Sequence, residues 1–149
     1  MAIKVVHNAK LRNTSICGAT ETILIHEKNL NKYVNPVLDG LVKNGCIIYS
    51  DKKIKKIFKG KSKKASERDW AKEYLSPTVS VKSVKDTTDA VNHINKYGTM
   101  HTDAIITQNK KTAKFFLKNV KSSIAILNSS TQFADGGEFG FGGEVGIST

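Results

Sequence analysis

The sequence predicts an α/β fold, a mostly parallel sheet with helices on both faces. Two patterns carry this expectation. Short runs rich in β-branched and aliphatic residues, at 21–26, 46–49, 78–84, 104–107 and 124–128, alternate with stretches where apolar residues recur every three or four positions. Each intervening stretch is long enough to return the chain across a sheet, which parallel neighbours require and a tight hairpin cannot supply.

The opening AIKVVHNAK already follows a helical pattern, with no capping residue before it. Between the first two strands, Leu30, Tyr33, Val34, Val37, Leu38, Leu41 and Val42 form one apolar stripe ending near Gly45. This is a helix, either kinked at Pro36 or begun there. Ile54, Ile57 and Phe58 are spaced for a short helix docked by one face. After the third strand, Asp86 can cap a helix whose inner face is Ala90, Val91, Ile94 and Tyr97, with Gly98 as its stop. Ala113, Phe116, Leu117 and Val120 mark the last helix. The first residues lie in mid-helix and the last follow a glycine-rich loop, so residues 1–149 are expected to be one domain cut at both ends.

With 39% hydrophobic and 25% charged residues, the chain has the composition of an ordinary globular domain. No apolar run reaches the roughly 18 residues of a membrane span, and the N-terminus lacks a signal-peptide block, so a cytoplasmic location is expected. Cys17 and Cys46 are far apart and outside any CxxC pattern, which favours free thiols over a disulfide or a metal site. The net charge of +11 is local: residues 51–64 contribute +7 through eight lysines and one aspartate. Such a run reads first as a solvated helix face. A basic nucleic-acid-binding module using Lys52 to Lys64 stands as the alternative from another class, although the run has no arginines and few stacking aromatics.

Three places could carry chemistry. Cys17 lies in SICGATE, in a turn-like stretch before the first strand, where Ser15, Gly18 and Ala19 leave room for a substrate. A nucleophilic thiolate needs backbone dipoles or a cation beside it, for which Lys10 and Arg12 are near in sequence. Cys46, inside GCIIY, reads as a structural thiol. His101, Thr102 and Asp103 permit a cysteine–histidine arrangement in which His101 deprotonates Cys17. Finally, residues 128–146 hold six of the eleven glycines together with Ser129, Ser130 and Thr131, whose hydroxyls can hold a carboxylate or phosphate. Val145 stands where the third glycine of a dinucleotide fingerprint belongs.

The blocks HNAK, SICGATETILIH, KEYLSPTVSVKSV, YGTMHTDAIIT and NSSTQFADGGEFGFGGEVGIST, in that order, resemble the γ-glutamyl phosphate reductase family of the aldehyde dehydrogenase superfamily. The resemblance implies that this is the cysteine-bearing catalytic domain, with the NADP-binding domain absent from it. It implies NADPH-dependent reduction of L-glutamyl 5-phosphate to glutamate 5-semialdehyde through a thioester on Cys17, without a metal, in proline biosynthesis. It places Asn128, Ser130 and Thr131 at the substrate and Glu73 at the nicotinamide ribose. Glutamate 5-kinase would be a pathway neighbour, and the full-length form a homo-oligomer with no membrane or nucleic-acid partner. The sequence departs from the family pattern at Asn13 to Ile16 and at Gln132, where many members carry arginine. A catalytically inert fragment remains the other alternative.

Overall fold

The computed structural model describes residues 1–143. Its first sheet holds β1 (Thr22–His26), β2 (Ile47–Ser50), β3 (Lys63–Lys64) and β4 (Thr78–Val84), in the order β1-β4-β2-β3. All its strands are parallel, with Thr22 opposite Ser80, Ile47 opposite Thr78 and Tyr49 opposite Lys63. A second parallel pair joins β5 (Thr102–Ile105) to β6 (Ile124–Leu127). The helices are α1 (Ala2–Leu11), α2 (Leu30–Lys43), α3 (Lys52–Ile57), α4 (Glu67–Trp70), α5 (Thr87–Tyr97) and α6 (Lys110–Asn119).

The α/β class stands as the alternation predicts, while several boundaries move. Strand β5 lies two residues before the expected 104–107, because Thr102 to Ile105 are the residues in register with Ile124 to Leu127. The two-residue β3 carries no hydrophobic signal, since it is a pair of exposed lysines at a sheet edge. Of the two possibilities at Pro36, the one that begins the helix there falls. Helix α2 starts at Leu30 and contains the proline, and burial of Leu30, Val34, Val37, Leu38 and Leu41 offsets the missing hydrogen bond.

Helix α2 also shows why the chain turns where it does. The Cys46 amide donates to the Leu41 carbonyl at 3.0 Å, and the Gly45 amide to Val42 at 2.9 Å. These are the two bonds of a Schellman stop, and Gly45 supplies the positive φ, +82°, that such a stop needs. Leu41 and Cys46 are both buried beside it, which makes Cys46 a core residue whose thiol burial pushes above its ordinary value. Val42, expected on the inner stripe, is 39% exposed.

The main core joins Ile23, Ile25, Ile48, Val79 and Val81 of the sheet to the inner face of α2 and to Ile54 and Phe58. Asp51 fixes the latter pair. Its Oδ1 accepts the Ile54 amide at 2.8 Å and its Oδ2 accepts the Ser83 amide at 2.7 Å, tying the start of α3 to β4. All eight lysines between residues 52 and 64 are exposed, as expected of a solvated face.

Asp86 caps α5 by accepting the Asp89 amide at 2.9 Å. The face that α5 buries differs from expectation, because Val91 and His93 are the buried residues while Ala90, Ile94 and Tyr97 are half-buried. In α6, Ala113 and Phe116 turn inward and Leu117 is exposed. His93 sits between Trp70, at 5.6 Å in an edge-on contact, and Tyr97, at 4.7 Å. Burial lowers its pKa to about 4. A depressed histidine stabilises the fold above the unfolded value near 6.5, and that contribution is lost as pH falls towards 4. Stability measured by urea unfolding should therefore drop on acidification over that window by up to about 3 kcal/mol, and His93→Phe should flatten the drop.

Among the described residues, no helix is long and apolar enough to cross a membrane. No group of three ligating side chains could hold a metal there either.

Candidate active site

Cys17 lies in the arch between the end of α1 and the start of β1, and it is exposed. The arch is built from local bonds. The Asn13 Oδ1 accepts the Ser15 amide at 3.0 Å, the Ala19 amide donates to Ile16 at 3.0 Å, and the Thr20 amide returns to Ala9 of α1 at 2.9 Å. The thiol therefore stands on a fixed turn with small neighbours, the geometry a nucleophile needs to admit a carbonyl carbon.

A cleft of about 740 Å³ runs past this arch, lined by β1 on the one hand and β5 on the other. Cys17, Glu21, Glu73, Asn128, Ser129 and Thr131 all line it. It thus gathers four of the five residues named from sequence. Ser130 does not line it: this residue is 2% exposed, and its Oγ accepts the Gln132 amide at 3.3 Å within a short 3₁₀ turn, Thr131–Phe133.

The other candidates have defined partners. The Asn128 carboxamide accepts the Thr107 amide and donates to the Thr107 carbonyl, each at 2.9 Å, and its φ is +57°. Thr131 donates its hydroxyl to the Gly18 carbonyl at 2.7 Å and lies 3.1 Å from the Thr20 hydroxyl. Glu73 is exposed in the extended segment beyond α4, and its carboxylate has no partner among the described residues.

The cations expected to favour a thiolate are engaged elsewhere. Lys10 is fully buried and donates to Glu21 Oε2 at 2.7 Å. Arg12 pairs with Glu138 and lies over the Phe133 ring. His101 bonds the Thr102 hydroxyl at 2.8 Å, while the Asp103 carboxylate accepts from Ser122. His101 does not line the cleft that Cys17 lines, so the papain-like arrangement has no geometry behind it. What remains for the sulfur is the backbone: the Cys17 and Gly18 amides donate to no protein acceptor among the described residues.

Two features of the site give residues named from sequence partners that the sequence did not indicate. One is the buried Lys10–Glu21 pair, although Ile3, Val6 and Lys10 share a helical spacing that places the lysine on the inner stripe of α1. The other is Gln132, 4% exposed, whose Nε2 donates to the carbonyls of Ala9 at 2.8 Å and Asn13 at 3.0 Å. No local pattern signals it, since its partners lie more than a hundred residues earlier. The end of the glycine-rich segment, residues 144–149 with Val145, lies outside the described residues.

The chain is 48% identical over 148 residues to a γ-glutamyl phosphate reductase from Caulobacter vibrioides, covering 99% of this chain and 36% of the relative. A γ-glutamyl phosphate reductase from Clostridium beijerinckii is 45% identical over the whole chain and 36% of its own length. The crystal structure of the Thermotoga maritima γ-glutamyl phosphate reductase superposes with a TM-score of 0.94 at 37% identity, over 99% of this chain and 35% of that one. A lactaldehyde dehydrogenase structure, 14% identical, shares the fold with a TM-score of 0.68 over 87% of this chain and 36% of its own. The chain thus spans about a third of the length of the curated relatives it matches. The family model described as the aldehyde dehydrogenase family matches residues 57–146, more than half of the sequence. With the parallel sheet, the arch and these likenesses together, the chain belongs to the aldehyde dehydrogenase family.

Proposed function

We propose that this chain is the cysteine-bearing part of a γ-glutamyl phosphate reductase, which converts L-glutamyl 5-phosphate to glutamate 5-semialdehyde in proline biosynthesis. The observation that carries this reading is the exposed Cys17 on its hydrogen-bonded arch, opening onto the same cleft as Glu73 and the 128–131 segment. The 48% identity to a protein of that name supports the choice of substrate.

Cys17 Sγ attacks the acyl carbon of the mixed anhydride, and the carbon–oxygen bond to phosphate breaks with its electron pair leaving on phosphate. The amides of Cys17 and Gly18, which have no acceptor among the described residues, are the donors proposed for the oxyanion of the tetrahedral intermediate. The product is a thioester, a better hydride acceptor than a carboxylate. A reduced nicotinamide cofactor, when bound, supplies the hydride that converts this acyl group to the aldehyde level. The residues present fit such a group, because Glu73 offers an exposed and unpaired carboxylate to ribose hydroxyls in the cleft that Cys17 also lines. NADPH rather than NADH is the proposed donor. The rest of its site, and the oligomeric state, belong to the longer protein.

The test supplies this chain with glutamate 5-semialdehyde, phosphate and NADP, mixed with the nucleotide-binding domain of the Thermotoga relative. Phosphate-dependent NADP reduction is the expected result. No turnover with semialdehyde alongside turnover with another aldehyde would move the substrate to a different acyl group.

A further inference from the structure

We infer that Thr131 and Gln132 are positioning residues for Cys17, acting as one clamp that holds both feet of the nucleophile's arch. The inference rests on the reading of Cys17 as an acyl acceptor and says what fixes its geometry. The arch leaves α1 at Leu11 and enters β1 at Thr22, and the cysteine itself has no side-chain partner among the described residues. Its placement must come from the backbone on either side.

Four bonds supply it, all from one buried turn. On the upstream foot, Gln132 Nε2 donates to Asn13 O at 3.0 Å and to Ala9 O at 2.8 Å. On the downstream foot, Thr131 Oγ1 donates to Gly18 O at 2.7 Å and meets Thr20 Oγ1 at 3.1 Å. Ala9 O also accepts the Thr20 amide, so the two feet are tied to each other as well as to the turn. Thr131 and Gln132 are 9% and 4% exposed, and Ser130 Oγ fixes the turn from within.

Gly18 adds a steric requirement. A Cβ built there would stand 3.2 Å from Thr131 O and 3.4 Å from Gln132 Cα, so the arch and the turn touch backbone to backbone. The clamp takes up carbonyl groups, at Asn13 and Gly18, and leaves the Cys17 and Gly18 amides unused. It therefore sets the relation between the sulfur and the amides that receive an oxyanion. That relation matters when a carbonyl is attacked and is irrelevant to displacement at a saturated carbon.

This contrast defines the experiment. The chain and its Thr131→Val, Thr131→Ser, Gln132→Met and Gly18→Ala variants are treated in parallel with acetyl phosphate and with iodoacetamide, and modification of Cys17 is followed by mass. Acetyl phosphate transfers its acetyl group to sulfur with loss of phosphate; iodoacetamide alkylates the sulfur with loss of iodide. Thr131→Val and Gln132→Met should slow acylation about 100-fold, the cost of misplacing a reacting group by about 1 Å. Alkylation should stay within about threefold, since it needs no oxyanion donor. Thr131→Ser, which keeps the hydroxyl, should acylate like the parent. Gly18→Ala keeps every donor and acceptor of the clamp but sets a methyl 3.2 Å from Thr131 O, so arch and turn must part by a few tenths of an ångström and a smaller split of the same sign is expected even if the other variants unfold. Equal acylation by parent and variants, or a parallel fall of both reactions, overturns the clamp. A parent chain that is alkylated but never acylated overturns the thioester reading instead.

Discussion

In the proposed reductase, reassembled with a nucleotide-binding domain, Cys17→Ala should remove turnover, and Cys17→Ser should leave a residual rate lower by roughly 10⁴-fold or more in kcat/KM. The size follows from the role. A residue that carries the covalent intermediate acts with its oxyanion donors as a unit, and removing it costs nearly as much as removing the unit. Serine keeps the shape of the side chain, but its hydroxyl is a far weaker nucleophile than a thiolate, and the histidine named from sequence as its base, His101, is bonded to Thr102 and does not line the cleft. Substrate binding should survive in both variants, so the loss appears in kcat with KM little changed. The internal control is Cys46→Ala, where the thiol lies in the core and is 5% exposed. That variant loses stability and keeps its rate per folded molecule. Activity in Cys17→Ala above a tenth of the parent's would remove the sulfur from the mechanism, and a covalent acyl adduct on any other residue would relocate it.

Elements with their own hydrophobic period are legible in the amino-acid sequence by itself. Strand β4 is buried along nearly its whole length, and its run TVSVKSV has the residues of 78–84 as expected. Helix α5 is marked at both ends by Asp86 and Gly98, because capping is chemistry written within four residues. Strand β5 departs from its expected span because its four residues are all half-buried, so tertiary pairing with β6 sets its register rather than an apolar pattern of its own. The site divides in the same way. Cys17 announces itself through small neighbours and a turn, and the 128–131 segment through its hydroxyls and the glycines that follow from Gly136. The partners that hold the arch do not, since Gln132 reaches back 123 and 119 residues to Ala9 and Asn13. Long-range hydrogen bonds from a neutral side chain leave no trace in local composition.

Lys10→Met costs about 3–5 kcal/mol of stability at neutral pH, as expected when one partner of a buried ion pair is removed. The lysine is 0% exposed and its partner Glu21 is 16% exposed, so little water can replace the lost ammonium. Glu21 is also the hub between α1 and the segment after α4, because its Oε1 accepts the Leu75 amide at 3.2 Å. Even in the parent, burial pushes the Glu21 carboxyl above its ordinary value, outweighing the attraction of Lys10 and its hydrogen bond. Taking Lys10 away removes the main opposing influence, so the carboxyl rises further. A carboxyl whose folded value is raised stabilises the fold below its unfolded value and loses that contribution as pH rises through the folded one. The Lys10→Met penalty should therefore be smallest below the ordinary carboxyl range and grow as pH rises through the raised value of Glu21. For a chain of this length the neutral-pH loss corresponds to a melting point lower by roughly 10 °C. The double variant Lys10→Met/Glu21→Leu should recover most of it, since an apolar pair leaves no stranded charge. A single variant with a pH-independent penalty, or a double variant no better than the single, would mean that lost packing around the lysine stem, rather than the orphaned carboxylate, sets the cost.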